Sequence, residues 1–294
     1  MRRRLLLAGL LSVAATQAQA TPALSVVATF SILADMTATI GGDALAVTML
    51  VPPDGDAHTY QPRPSDLRAL RDAAVLVENG LGLEGFMARM AKATGFHGTR
   101  IVATAAVVPR RMTQGSAAVP DPHAWQDPRN GVLYARTIAA GLIDALPTAA
   151  AELRNRAEAY VAEIEAADRF VTRTLAPVPP DRRRIITSHD AFGYFAARYA
   201  VEMIGVQGLD TDTEPSARDM ARLVAQIRRE RIRAVFVENM TDGRLAEMLA
   251  RESGATIGGR VFSDALSPPG GPADTYVKML RYNATLFAQA MLAR

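Results

Sequence analysis

Four histidines occur in the 294 residues, and three of them sit in short polar loops that could present an imidazole to a ligand. His58 ends Val51-Pro52-Pro53-Asp54-Gly55-Asp56-Ala57-His58, a Pro/Gly-rich loop directly after an apolar run. His123 lies in Asp121-Pro122-His123-Ala124-Trp125, just before a candidate helix, and His189 follows Ile185-Ile186-Thr187 in Ser188-His189-Asp190. Asp264 follows Val261-Phe262-Ser263. Three neutral imidazoles and one carboxylate are a complete tetrahedral set for Zn2+, with bonds of about 2.0 to 2.2 Å. A shell richer in carboxylate and water suits Mn2+ or Mg2+ instead. The sequence has no HExxH or CxxC, so spacing along the chain does not by itself single out a metal site, and each histidine taken alone also fits a cap or a hydrogen-bonded loop residue.

The elements that must position these groups read as α/β. Short apolar β-like runs alternate with helical ones, which is the pattern of parallel sheets flanked by helices. Candidate strands are Leu24 to Thr29, Ala46 to Val51, Ala74 to Val77, Ile101 to Ala103, Arg184 to Thr187, Glu202 to Val206, Ala234 to Val237 and Ala255 to Val261. Candidate helices in the first half are Ser31 to Ile40, Ser65 to Asp72, Glu84 to Ala93 and Pro128 to Ala145, and Val107 to Pro122 reads as an irregular connection. The strongest helical pattern follows Pro147, with Thr148 as a cap and apolar residues at Leu153, Ala157, Tyr160, Val161, Ile164, Val171 and Leu175 until Pro177 stops it. About 28 residues at about 1.5 Å each make a rod of about 42 Å, long enough to run past two lobes. The expected organisation is therefore two similar lobes, residues 21–147 and 178–294, each with a mainly parallel sheet, joined by one long helix over 148–177. At least three of the four candidate ligands fall beyond the carboxyl end of a strand, where open α/β sheets gather ligands, so two such edges would face each other across a cleft.

Residues 1–20 read as an export signal: Arg2, Arg3 and Arg4, an apolar stretch from Leu5 to Ala15, and Ala18-Gln19-Ala20 as a small-residue cleavage site. The Arg-Arg pair leaves both the Sec and the Tat route open. Removing three arginines and no acids takes the formal charge from +3 to zero. With aromatics at 6% there is no long basic face interleaved with stacking rings, which argues against nucleic acid. Arg182 to Arg184 and Arg228 to Arg233 read as solvated edges. Cysteine is absent, which removes disulfides, thiolate metal ligands, cysteine nucleophiles and a lipid-modified N-terminal cysteine. The expected setting is the periplasm, with the exported chain free of a lipid anchor and monomeric.

The segments Gly55 to Pro62 (GDAHTYQP), Asp121 to Trp125 (DPHAW), His189 to Phe195 (HDAFGYF) and Phe262 to Ser267 (FSDALS) occur in this order. Together they resemble the zinc/manganese solute-binding proteins of ABC transporters, often called cluster A-I, over nearly all of the mature chain. The resemblance implies a receptor that captures a divalent ion in an interdomain cleft and delivers it to an inner-membrane ABC permease, with a periplasmic metallochaperone as a further partner. It also implies the ligands. In that family the first two motifs each give a histidine, the third gives His or Glu, and the last gives an acid, which here are His58, His123, His189 and Asp264. Manganese members commonly carry Glu at the third place and zinc members His, so His189 points to Zn2+ as the transported ion. Many dedicated zinc members carry a long His-rich acidic loop after the first ligand, whereas Thr59-Tyr60-Gln61-Pro62-Arg63-Pro64 stands here, and some members without that loop take both metals. Mn2+ is the alternative cargo, and a periplasmic zinc hydrolase or zinc chaperone are the alternatives from other classes.

Other candidates have plainer readings. His97 looks like a helix C-cap or a solvated loop residue. Glu238 is a reserve carboxylate for Asp264, or an acceptor for the second N–H of a metal-bound imidazole; Asp56, Asp121 and Asp190 are comparable. Trp125 reads as a packing residue beside the site, and Glu163 and Glu165 as a solvated helix surface. Ser188-His189-Asp190 has triad residue types, but sequence neighbours rarely converge on one proton path.

Overall fold

The computed structural model describes residues 23–114, 117–208, 211 and 215–293, so the expected export signal lies outside the described residues. The first half runs β1 (Leu24–Phe30), α1 (Ser31–Gly41), β2 (Leu45–Val51), α2 (Pro64–Asp72), β3 (Val75–Glu78), α3 (Met87–Thr94) and β4 (Thr99–Val102). A short pair β5 (Arg111–Gln114) and β6 (Ala117–Pro120) and the helix α4 (Pro128–Ala145) complete it. After the long helix α5 (Ala150–Leu175) come β7 (Arg184–His189), α6 (Gly193–Tyr199), β8 (Glu202–Gln207), α7 (Ala217–Glu230), β9 (Ala234–Glu238), α8 (Arg244–Ser253), β10 (Thr256–Val261) and α9 (Tyr276–Leu292).

Each lobe is built on a four-stranded parallel sheet, in the order β2-β1-β3-β4 and β8-β7-β9-β10. In both, the first strand pairs with the second on one side and the third on the other, so the two sheets share one topology. Val26 to Phe30 in β1 and Ile185 to His189 in β7 are buried without alternation, as central strands covered on both faces must be. Asp127 caps α4 by accepting the Arg129 N–H at 2.9 Å, and Pro128 supplies the fixed φ of its first turn.

The rod α5 has 26 residues, about 39 Å. Thr148 does not cap it. A short 3-10 turn over Pro147–Ala149 leads in, and Pro147 already sets helix-like backbone there, whereas a cap must be extended. The segment 107–122 is not wholly irregular, since it carries the antiparallel pair β5–β6; most of its residues are exposed, so no apolar alternation marked it. The third helix starts at Met87 rather than at Glu84, because the Glu84 carboxylate turns inward to accept from Thr29 Oγ1 (2.6 Å) and the backbone N–H groups of Asn79 (2.7 Å) and Gly80 (3.2 Å). Arg183 is not a solvated edge: its guanidinium donates to the carbonyls of Leu175, Val178 and Tyr199 and ties down the end of α5.

The long helix α5 joins the lobes as expected, and α9 also packs against both cores. On α5, Leu153 to Ala167 belong to the first core, while Val171 and Leu175 belong to the second. On α9, Tyr276, Met279 and Leu280 pack in the first core and Ala284, Phe287, Ala288 and Met291 in the second. Because close-packed interiors resist shear, this shared packing holds the carboxyl edges of the two sheets facing each other.

Candidate metal centre

His189 is the last residue of β7, and His58, His123 and Asp264 lie in the loops that follow β2, β6 and β10. Two of these loops share a local device. In Asp56-Ala57-His58 the aspartate Oδ1 accepts the histidine backbone N–H at 2.8 Å, and in Asp121-Pro122-His123 the same bond is 3.0 Å. Asx turns of this kind satisfy the loop's own backbone and fix where the imidazole starts.

The four predicted residues converge. One donor atom from each of His58, His123, His189 and Asp264 lies within 4.8 Å of all the others. His58 Nε2 is 3.2 Å from His123 Nε2 and 3.0 Å from Asp264 Oδ2. His189 Nε2 and His123 Nε2 lie 3.1 and 3.6 Å from the same oxygen. Bonds of about 2.0 to 2.1 Å around a tetrahedral ion separate donor atoms by about 3.3 Å, and the observed distances bracket that value. His123, His189 and Asp264 are fully buried, and the His58 side chain keeps 10% of its surface.

Further acids stand behind two of the rings. Asp121 Oδ1 meets His123 Nδ1 at 2.8 Å, and Glu238 Oε2 meets His189 Nδ1 at 2.5 Å. These contacts direct Nδ1 away from the cluster and leave Nε2 facing it, the arrangement by which outer carboxylates orient metal-binding imidazoles. Glu238 is therefore not a substitute for Asp264, which points into the cluster itself. Trp125 is the packing residue expected: it is fully buried, its ring lies 5.4 Å from that of His123, and its Nε1–H donates to Ser263 O at 2.9 Å. Gln126 donates to the same carbonyl at 2.8 Å, so the loops carrying His123 and Asp264 are bonded to each other across the cleft. Asn79 Nδ2 holds Pro122 O at 2.9 Å from the core side, a contact the sequence did not reveal.

The electrostatics show a cluster that attracts cations. Burial works to lower the His123 pKa, but Asp264 and Asp121 outweigh it and raise it to about 9. Burial opposes the charged form of His189 too, yet Glu238 and Asp264 push its pKa well above the ordinary value. Burial would raise Asp264, and the facing His189 and His123 rings hold it well below the usual carboxylate range. Among the described residues Asp264 Oδ1 is buried with no hydrogen-bond partner, so the charge of this acid is compensated chiefly within the cluster. A divalent ion placed there would displace the protons of the rings.

The remaining candidates stay outside. His97 is exposed and takes no part in the cluster. Glu163 and Glu165 are exposed on α5. Asp190 is half-buried near the site, and burial and the neighbouring Asp121 raise its pKa. Asp56 serves the His58 loop and also accepts from Thr211 Oγ1 at 2.6 Å.

Known proteins match this chain over most of its length. The family profile described as ZnuA, zinc-uptake complex component A, periplasmic, matches residues 26–290. The manganese-binding lipoprotein MntA of Bacillus subtilis is 32% identical over 275 residues, 91% of this chain and 90% of its own. The solved structure of the periplasmic zinc-binding protein TroA from Treponema pallidum superposes with a TM-score of 0.87 at 30% identity, covering 93% of this chain and all of that one. A manganese-bound periplasmic metal-binding protein from Candidatus Liberibacter asiaticus gives a TM-score of 0.82 at 27% identity, over 91% of this chain and 99% of the other. With two lobes of one topology, a long linking helix and a profile match over nearly the whole described chain, this protein belongs to the ZnuA family of metal-binding solute-binding proteins of ABC transporters.

Proposed function

We propose that this chain captures Zn2+ with His58, His123, His189 and Asp264 and hands it to an inner-membrane ABC permease. The observation that carries the reading is the convergence of three imidazole Nε2 atoms on one aspartate oxygen at 3.0 to 3.6 Å. Nitrogen-rich sets suit Zn2+ over Mn2+. Burial of three of the four donors supports retention rather than hydrolysis, since a catalytic zinc keeps a position open to water and substrate. We divide the chain as its sequence suggests, with 21–147 and 178–294 as lobes and 148–177 as the link.

Manganese is the second reading, favoured by the manganese-binding relatives. The two are separated by metal analysis of protein taken from its own periplasm, followed by competition of Zn2+ against Mn2+ in calorimetry. Zinc in the purified protein and a tighter zinc isotherm are expected; native manganese content with preferential manganese binding would overturn the choice of ion. Location in the periplasm as a monomer without lipid completes the proposal. Among the described residues no helix is long and apolar enough to cross a membrane, and the sequence has no cysteine. Partition of the exported protein into the detergent phase of a phase separation would contradict the lipid-free form.

A further inference from the structure

We propose that Asp54 and Asn239 form a clasp across the cleft that sets how long the bound ion is retained, an inference that rests on the metal-receptor reading above. The segment Pro52-Pro53-Asp54-Gly55 is a tight turn, with the Gly55 N–H donating to Pro52 O at 3.0 Å. Asp54 occupies its third position at φ +58°, in the left-handed region. A turn with proline second and positive φ third ordinarily takes glycine or asparagine there. An aspartate tolerates the conformation less freely than glycine, so its side chain should have a use that offsets the cost.

That use is visible on the opposite lobe. Asp54 Oδ1 accepts from Asn239 Nδ2 at 2.8 Å, and the Asp54 backbone N–H donates to Leu266 O at 3.1 Å. Asn239 is itself buried and bound on several sides. Its N–H donates to Val261 O at 2.9 Å, its carbonyl accepts from Arg260 at 2.7 Å, and Nδ2 also reaches Ala265 O at 3.2 Å. It directly follows Glu238, whose carboxyl orients His189, and it bonds the carbonyl that directly follows Asp264. One amide thus links the loop of His58 to the strand end behind His189 and to the loop of Asp264.

His58 is the one donor that keeps solvent exposure and the ligand nearest the clasp in sequence, so its loop is the natural one to leave first when the ion is released. A charge-assisted hydrogen bond holding that loop adds to the barrier for leaving and adds little to encounter with the ion, because related complexes differ mostly in dissociation rate. Asp54 is in this sense a positioning residue: it touches no bound ion and acts through His58.

The test is zinc release from the full chain into excess chelator by stopped flow, with association rates and thermal melts measured alongside, for wild type, Asp54→Gly and Asp54→Asn. Glycine keeps the turn and the backbone bond to Leu266 and removes only the carboxylate. Release about 10-fold faster is expected for Asp54→Gly, the size of one lost bond to a charged group, with association and the metal-free melting temperature essentially unchanged. Asparagine tolerates positive φ and retains Oδ1 as an acceptor without its charge, so release from Asp54→Asn should fall between wild type and Asp54→Gly. Wild-type release from Asp54→Gly would overturn the clasp while leaving the receptor intact, and so would a lowered melting temperature with association and release altered alike. A wild-type chain that binds no zinc would instead remove the receptor reading itself, and the clasp with it.

Discussion

Glu238 holds His189 at two points: Oε1 accepts the histidine's backbone N–H at 2.8 Å, and Oε2 lies 2.5 Å from Nδ1. The second contact turns Nδ1 toward the Glu238 carboxylate and leaves Nε2 facing Asp264 Oδ2 at 3.1 Å. Glu238→Gln would set an NH2 group against Nδ1 and favour the tautomer with hydrogen on Nε2. Zinc affinity should fall by about 10- to 100-fold while the fold persists. Competition with a chromophoric chelator measures it, and an affinity equal to wild type would remove Glu238 from the orientation of the ring.

Replacing a donor outright should cost more. Structural zinc sites bind with apparent free energies of about 10 to 16 kcal/mol, roughly 3 kcal/mol for each of four ligands. His189→Ala and Asp264→Ala are each expected to weaken zinc by about 100-fold or more. Calorimetry on protein with an unaltered far-ultraviolet spectrum checks this, and undiminished binding would strike that residue from the ligand set.

Affinity should fall with acid from a higher pH than an unperturbed imidazole would give. The His123 pKa is raised to about 9, so below that pH the metal-free ring carries a proton that zinc must displace. Each such ring contributes up to about ten-fold in affinity per pH unit. For the metal-free fold the sign is opposite: the stabilising protonation of His123 is complete below its ordinary 6.5 and is lost as pH rises through about 9. Binding heats measured in buffers of different ionisation enthalpy report the protons released, and a proton count of zero at pH 7 would refute the shift.

Glu84 should give stability its own pH dependence in the zinc-loaded protein. Burial in the first lobe raises its pKa from 4.5 to about 7, against the bonds it accepts from Thr29, Asn79 and Gly80. Its contribution is full below 4.5 and is lost as pH rises through 7, an effect on the order of 3 kcal/mol. Glu84→Gln should flatten the melting temperature between pH 5 and about 8; an unchanged slope in thermal melts would exclude this acid as the source.

Removal of the ion should lower the melting temperature. At free zinc about 1,000 times Kd, binding adds about 4 kcal/mol, which corresponds to roughly 10 °C if the two lobes melt as one unit. Scanning calorimetry with and without chelator decides it, and coincident melts would mean that the folded chain has no preference for the ion.

Most elements that carry the site were legible because their signals are local. The apolar runs of β1, β2, β7 and β9 and the spacing of α5 from Leu153 to Leu175 fix period and length without reference to neighbours. Asp127-Pro128 likewise marked the start of α4. The β5–β6 pair carried no such mark, since its side chains lie largely on the surface. Glu84 left its helix for bonds to Thr29, a residue far away in sequence. The division of α9 between both cores depends on where two lobes meet, which no stretch of 17 residues encodes alone.

The sequence offered side chains that could bind a cation, placed at least three of them after strands and, through four ordered motifs that resemble a known family, singled out His58, His123, His189 and Asp264, because donor chemistry, strand periodicity and motifs are properties of short segments. Only the tertiary structure decided that Glu238 stands behind His189 while Asp264 faces the cluster, that Asp121 raises His123, and that Asn239 reaches Asp54. The reason is physical. Hydrogen-bond distances and the electrostatics of buried charge depend on ångström-scale separations between residues as far apart as 206 positions, and those separations are fixed by how two packed cores hold two sheet edges face to face.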